Sequence, residues 1–115
     1  MPTDIEVLLR RLIGGEATAP TEILDRAQTS DSPRLLVAAA LVADEPADLL
    51  ARAARSAATT RDRQLVALAT AHLGDDAELL DALARDHLSN HPDNLLAAWI
   101  AAQHTHTDLP QQEPL

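Results

Sequence analysis

A chain of 115 residues without cysteine or lysine, and with one tryptophan as its only aromatic side chain, has no thiol nucleophile, Schiff-base amine, disulfide, cysteine metal site or stacking platform for single-stranded bases. Nine basic against eighteen acidic residues give a formal net charge of -9, which repels phosphate backbones and argues against a nucleic-acid partner. Hydrophobic residues make up 46% of the chain, enough for one domain core, but so much of this is alanine that close helix packing must stand in for side-chain bulk.

The first helix is predicted to begin at Thr3, which stands at capping-box spacing from Glu6, and to stop at Gly14-Gly15. Its apolar stripe is Ile5, Leu8, Leu9 and Leu12. A short helix over residues 20–28 turns Ile23, Leu24 and Ala27 inward. Ser32-Pro33, a cap followed by proline at the first helical position, launches a third helix through Ala43. That helix is apolar almost all round and is therefore expected at the centre.

Asp44-Glu45-Pro46 restarts the chain as a fourth helix carrying Leu49, Leu50, Ala53, Ala54 and Ala57. Thr59 or Thr60 caps a fifth, whose Leu65, Leu68, Ala69, His72 and Leu73 recur at helical spacing before Gly74 ends it. Asp75 with Glu78 opens the sixth, carrying Leu79, Leu80, Leu83, Ala84, His87 and Leu88, and His91-Pro92 stops it. The seventh spans residues 93–103. The domain then covers residues 1–103, and 104–115, with two prolines and no apolar period, is expected to be a disordered tail.

Written in rows of thirty, the chain aligns with itself. Ile5, Leu35, Leu65 and Leu95 share a column, as do Leu8, Ala38, Leu68 and Ala98. Later columns hold Ala17, Ala47 and Ala77, then Leu49 with Leu79 and Leu50 with Leu80. A fixed period with short connections predicts an all-α, short α-solenoid of antiparallel helical hairpins, about seven helices in all. Leu35, Leu65 and Leu95 should then occupy equivalent buried positions.

From residue 61 to 102 the pattern resembles a tetratricopeptide repeat: an apolar helix, the Gly74-Asp75 turn, a second helix ending Leu88-x-x-His91-Pro92-Asp93, and the next unit. HEAT-like repeats, which begin after a turn similar to Asp31-Ser32-Pro33, are the alternative. Both resemblances imply an interaction scaffold for peptides or proteins, with the first helix of each unit lining the inner surface. The lysine-dependent clamp of some tetratricopeptide proteins has no counterpart in a chain without lysine.

Candidate sites follow from the same rows. The column Asp4, Arg34, Gln64 and Asn94 heads each inner helix and, with Arg61 and Arg63, forms either a recognition ladder with a local positive patch or a solvated rim. His87 and His91, spaced i, i+4, read as half a metal site or as a helix C-terminal pair whose protonated forms suit the dipole. His72 reads as a core or boundary histidine, and His104 and His106 as solvated. The acid pairs Asp44-Glu45 and Asp75-Asp76 are explained by helix starts. Trp99, on a helix apolar on more sides than a terminal cap requires, fills a gap in the core or anchors a partner, with a homodimer seam through the C-terminal helix preferred.

The reading that results is a non-catalytic helical-repeat module for protein or peptide interaction, acidic and cytoplasmic, with no cofactor, no nucleic acid and no membrane span. Its expected contact residues are Arg34, Arg61, Arg63, Gln64, Asn94 and Trp99. The alternative is a small helical enzyme or metal-binding protein that uses His72, His87 or His91.

Overall fold

Short polar side chains and prolines start most of the helices where the sequence places them. The computed structural model describes residues 4–108, and these form seven helices and no strand: α1 (Asp4–Ile13), α2 (Ala19–Ala27), α3 (Pro33–Val42), α4 (Ala47–Ser56), α5 (Thr60–Leu73), α6 (Ala77–Asn90) and α7 (Leu95–Asp108). Ser32 Oγ accepts the Leu35 N–H at 3.4 Å at the head of α3, and Thr59 Oγ1 accepts the Asp62 N–H at 3.0 Å at the head of α5. Thr3, the expected cap of α1, lies outside the described residues.

At α6 the cap is Asp76, whose Oδ1 accepts the Leu79 N–H at 3.2 Å, rather than Asp75. Asp75 is needed for the preceding turn, where it adopts a left-handed φ of +61°. The end of α1 is built in the same way sixty residues earlier. Glu16 N–H reaches back to the Arg11 carbonyl and Asp76 N–H to that of Ala71, each at 3.0 Å, and the left-handed position is Gly15 in one turn and Asp75 in the other.

The core is organised around α3. All six residues 35–40 are at most 1% exposed, and α3 packs against α1, α2, α4 and α5. Alanines at 38, 39 and 40 let the neighbouring helices approach closely, so the all-round apolar character read from the sequence does correspond to a central helix. Leu8, Leu9, Ile23, Leu65, Leu68 and Leu80 complete the cluster from four other helices. Among the described residues no helix is long and apolar enough to cross a membrane.

The odd-numbered helices touch in succession, α1 on α3, α3 on α5 and α5 on α7, and α7 also packs on α1. The molecule has a radius of gyration of 14.0 Å, close to the ~13 Å of a compact chain of this size.

Of the residues expected at equivalent buried positions, Leu35 and Leu65 are each 1% exposed, but on α7 Leu95 is 38% exposed and Ala98 is exposed as well. Leu96, Ala97 and Ile100 are buried there instead. The cause is Asn94. Its column partners Arg34 and Gln64 are only half-buried, whereas Asn94 is 4% exposed and is hydrogen-bonded inside the molecule, so α7 is rolled by about one residue, roughly 100°. Other positions expected inward also face solvent, including Leu79 at 47% exposure and Ala54. Helix α7 continues to Asp108, past the expected start of the tail at His104; the side chains of 104–108 and all of 109–115 lie outside the described residues.

Burial sets the cost of truncation at equivalent columns. Leu65→Ala is expected to cost ~2 to 5 kcal/mol in urea unfolding, while Leu95→Ala costs less than about 1 kcal/mol. Equal losses at the two positions would contradict the rolled register of α7.

Candidate functional site

The heads of α1, α3, α5 and α7 meet around a cavity of about 440 Å³. Helix α1 contributes Glu6 and α3 contributes Arg34, which is the second residue of its helix. Thr59, Arg61 and Asp62 come from the head of α5, and Asp93, Asn94 and Leu95 from the head of α7. Each helix start carries unsatisfied N–H groups and the positive end of a dipole equivalent to roughly half a charge. The side chains around them are mixed, with two guanidiniums and three carboxylates.

The two arginines differ in what they have available. Arg61 stands 3.8 Å from Asp93, a long and solvent-exposed pair in which the arginine is 40% and the aspartate 77% exposed, and such pairs contribute little to stability. Arg34 is half-buried and makes no hydrogen bond or ion pair with any described residue.

Behind the Asn94 wall lies a polar chain across three helices, with His87 and Asn94 buried and Gln64 half-buried. His87 of α6 is fully buried; its Nδ1 is 2.7 Å from Gln64 Oε1 of α5, and its Nε2 is 2.9 Å from Asn94 Nδ2. The polarity of the chain is fixed from one end. Asn94 Oδ1 accepts the Ala97 N–H at 3.3 Å, capping α7, so the amide NH₂ must face His87. His87 Nε2 then accepts, and the ring proton sits on Nδ1, where it is donated to Gln64. Burial first, and then the positive fields of His91 and Arg61, hold the imidazole pKa below its ordinary value, with Asp86 and Asp93 opposing.

This arrangement bears on the half metal site that the spacing of His87 and His91 left open. The rings lie 4.9 Å apart and tilted by 37°, but both nitrogens of His87 are engaged with Gln64 and Asn94, so it has no lone pair free for a metal. Its pKa, held below the ordinary value, disfavours the protonated form that the helix end would attract. No group of three or more metal-ligating side chains gathers among the described residues. His72 is half-buried on α5 and does not line the cavity.

Of the contact residues expected from the sequence, the structure brings Arg34, Arg61 and Asn94 together. Gln64 belongs to the polar chain and Arg63 is exposed away from the cavity. Trp99 is half-buried against the core. Helix α7, expected as a dimer seam, packs on α5, α6 and α1 through Leu96, Ala97 and Ile100, while Leu95 and Ala98 remain exposed.

Two arginine anchors were not visible in the sequence. Arg52 of α4 donates to the carbonyls of Ala27 and Ser30, both at 2.9 Å, closing the C-terminal end of α2. Arg11 pairs with Glu16 and Glu22 and ties α1 to α2, and those two carboxylates raise its pKa. In both cases the partners are too far away in sequence for a local pattern to show, apart from the Arg11–Glu16 contact.

Compared with known proteins, the chain matches no family model, no curated protein and no solved structure.

The polar chain and the exposed rim can be told apart by adjacent residues. Gln64→Leu strands the His87 N–H and is expected to cost ~1 to 3 kcal/mol, whereas Arg63→Ala stays within about 0.5 kcal/mol in the same urea titration. A neutral Gln64→Leu would refute the assigned hydrogen-bond chain.

Proposed function

We propose that this protein is a non-catalytic helical-repeat module that binds a protein or peptide, and that its partner is held at the cavity where the heads of α1, α3, α5 and α7 meet. One observation carries the reading: Arg34, half-buried in that cavity, has its guanidinium donors uncommitted among the described residues. A guanidinium presents five donors in a fixed fork suited to an acidic group, and Arg61 stands in the same cavity with only a long, exposed pair to Asp93. The carboxylates of Glu6, Asp62 and Asp93 restrict the fit to a partner that also offers donors or positive charge, which suits a mixed-charge peptide segment better than a polyanion.

The repeat part of this reading is supported by the matched burial of Leu35 and Leu65 and by the same terminal turn at Gly14-Gly15 and Gly74-Asp75. These are the features that resemble tetratricopeptide-like or HEAT-like units. A histidine-based enzyme is less well supported, because His87 already uses both ring nitrogens to hold α7 in place.

The test is selection from a displayed random-peptide library on the full chain, followed by anisotropy titration of the enriched peptides. Arg34→Ala is expected to weaken Kd by tenfold or more, about 1.4 kcal/mol, while Arg63→Ala leaves it unchanged. No enrichment, or enriched peptides indifferent to Arg34→Ala, would overturn the proposal.

A further inference from the structure

The Gln64–His87–Asn94 chain works with only one arrangement of protons. The cap on Ala97 fixes Asn94 Oδ1, which fixes the amide NH₂ on His87 Nε2, which fixes the ring proton on Nδ1 facing Gln64 Oε1. A second proton on the ring makes Nε2 a donor that confronts the Asn94 NH₂. Asn94 can meet it only by turning its oxygen toward His87, and its NH₂ then faces the Ala97 N–H, so the cap of α7 is lost. His87 itself has no exposed surface, so the conflict falls on a ring held inside the molecule.

We infer that these three side chains form a proton-operated latch: neutral His87 holds the head of α7 against α5 and α6, and protonation of His87 releases it. The charged groups around the ring act in opposite senses, with the cations the larger influence. From α5, Arg61 opposes a proton on His87, as does His91 at the end of α6, while Asp86 of α6 and Asp93 of the α6–α7 connection favour it. Helix α7 presents no charged side chain between 95 and 103. Once the ring is charged, Arg61 is repelled and Asp93 attracted, which pulls at their 3.8 Å pair.

Because Asn94, Arg61 and Asp93 also line the cavity, release of the latch remodels its α5 and α7 walls. That consequence rests on the peptide-binding reading above, but the latch itself does not and is tested without a ligand.

The sign of the pH dependence follows from linkage. With the folded-state pKa of His87 below the unfolded value of ~6.5, the unfolded chain binds more protons in the interval between the two. The hold on α7 is therefore complete above about pH 6.5 and is lost as pH falls through that interval toward the folded pKa.

The experiment is an NMR titration of the full chain from about pH 8 to pH 5, following the His87 ring and the backbone amides, with exchange rates corrected for intrinsic pH dependence. His87 is expected to titrate below ~6.5, with the Ala97 and Ala98 amides shifting at the same midpoint and the protection of Ala97 falling roughly tenfold, while amides of α3 stay unchanged. His87→Gln should abolish the transition. If that variant does not fold, Asn94→Asp serves instead: a carboxylate accepts from both the Ala97 N–H and a charged ring, so the His87 midpoint should rise above ~6.5 and acid should no longer loosen α7. A wild-type His87 midpoint at or above the ordinary value, or Ala97 and Ala98 amides that ignore the titration of His87, would overturn the latch.

Discussion

Six consecutive residues of α3, numbers 35–40, are sealed from water, and a helix can be buried on every side only if several neighbours come close enough to touch it. The three alanines at 38–40 make that approach possible. They bury little apolar area themselves, but they remove the bulk that would hold α1, α2, α4 and α5 apart, so the larger side chains of those helices close over a thin axis. A chain with so much alanine gains its core from proximity rather than from side-chain volume. The closing contact of α7 on α1 brings the heads of the odd helices to one end of the molecule, and the cavity is the space left between them.

The second constraint is polar. Burying an imidazole and the Asn94 carboxamide behind a half-buried glutamine is costly unless each donor meets an acceptor, and the cost of failure makes such a chain directional. Here that direction runs from the Ala97 N–H through Asn94 and His87 to Gln64, and it determines how α7 is rolled. Leu95 faces outward and Leu96 inward as a result. The side chain that breaks the thirty-residue register is thus also the one that forms a wall of the cavity.

Much of the fold was legible because it is local. The caps Ser32 and Thr59, the stop at Gly74 and the central place of α3 follow from patterns within a few residues, and the convergence of Arg34, Arg61 and Asn94 follows from their shared position at helix heads. What was not legible depends on contacts between residues distant in the chain. The His87–Gln64 bond spans twenty-three positions and those from Arg52 to Ser30 and Ala27 span twenty-two and twenty-five, so no window of sequence contains both partners. The spacing of His87 and His91 left both a half metal site and a helix C-terminal pair open, because spacing reports a shared face and says nothing of what else occupies the nitrogens. Asp75 and Asp76 were assigned in the wrong order for a similar reason: either can cap, and the left-handed turn after Gly74 decides which one does.

The most direct measurement is of the room around α3. Ala38→Leu places three extra carbons at a fully buried position of the helix that four others pack against, while Ala51→Leu makes the same change on the exposed side of α4, with nearly equal helix propensity. Urea unfolding of the two variants should show Ala38→Leu less stable by ~1 to 3 kcal/mol or more and Ala51→Leu within about 0.5 kcal/mol of the parent. An Ala38→Leu protein as stable as the parent, or more stable, would mean that α3 has space beside it and is not the close-packed axis on which this fold depends.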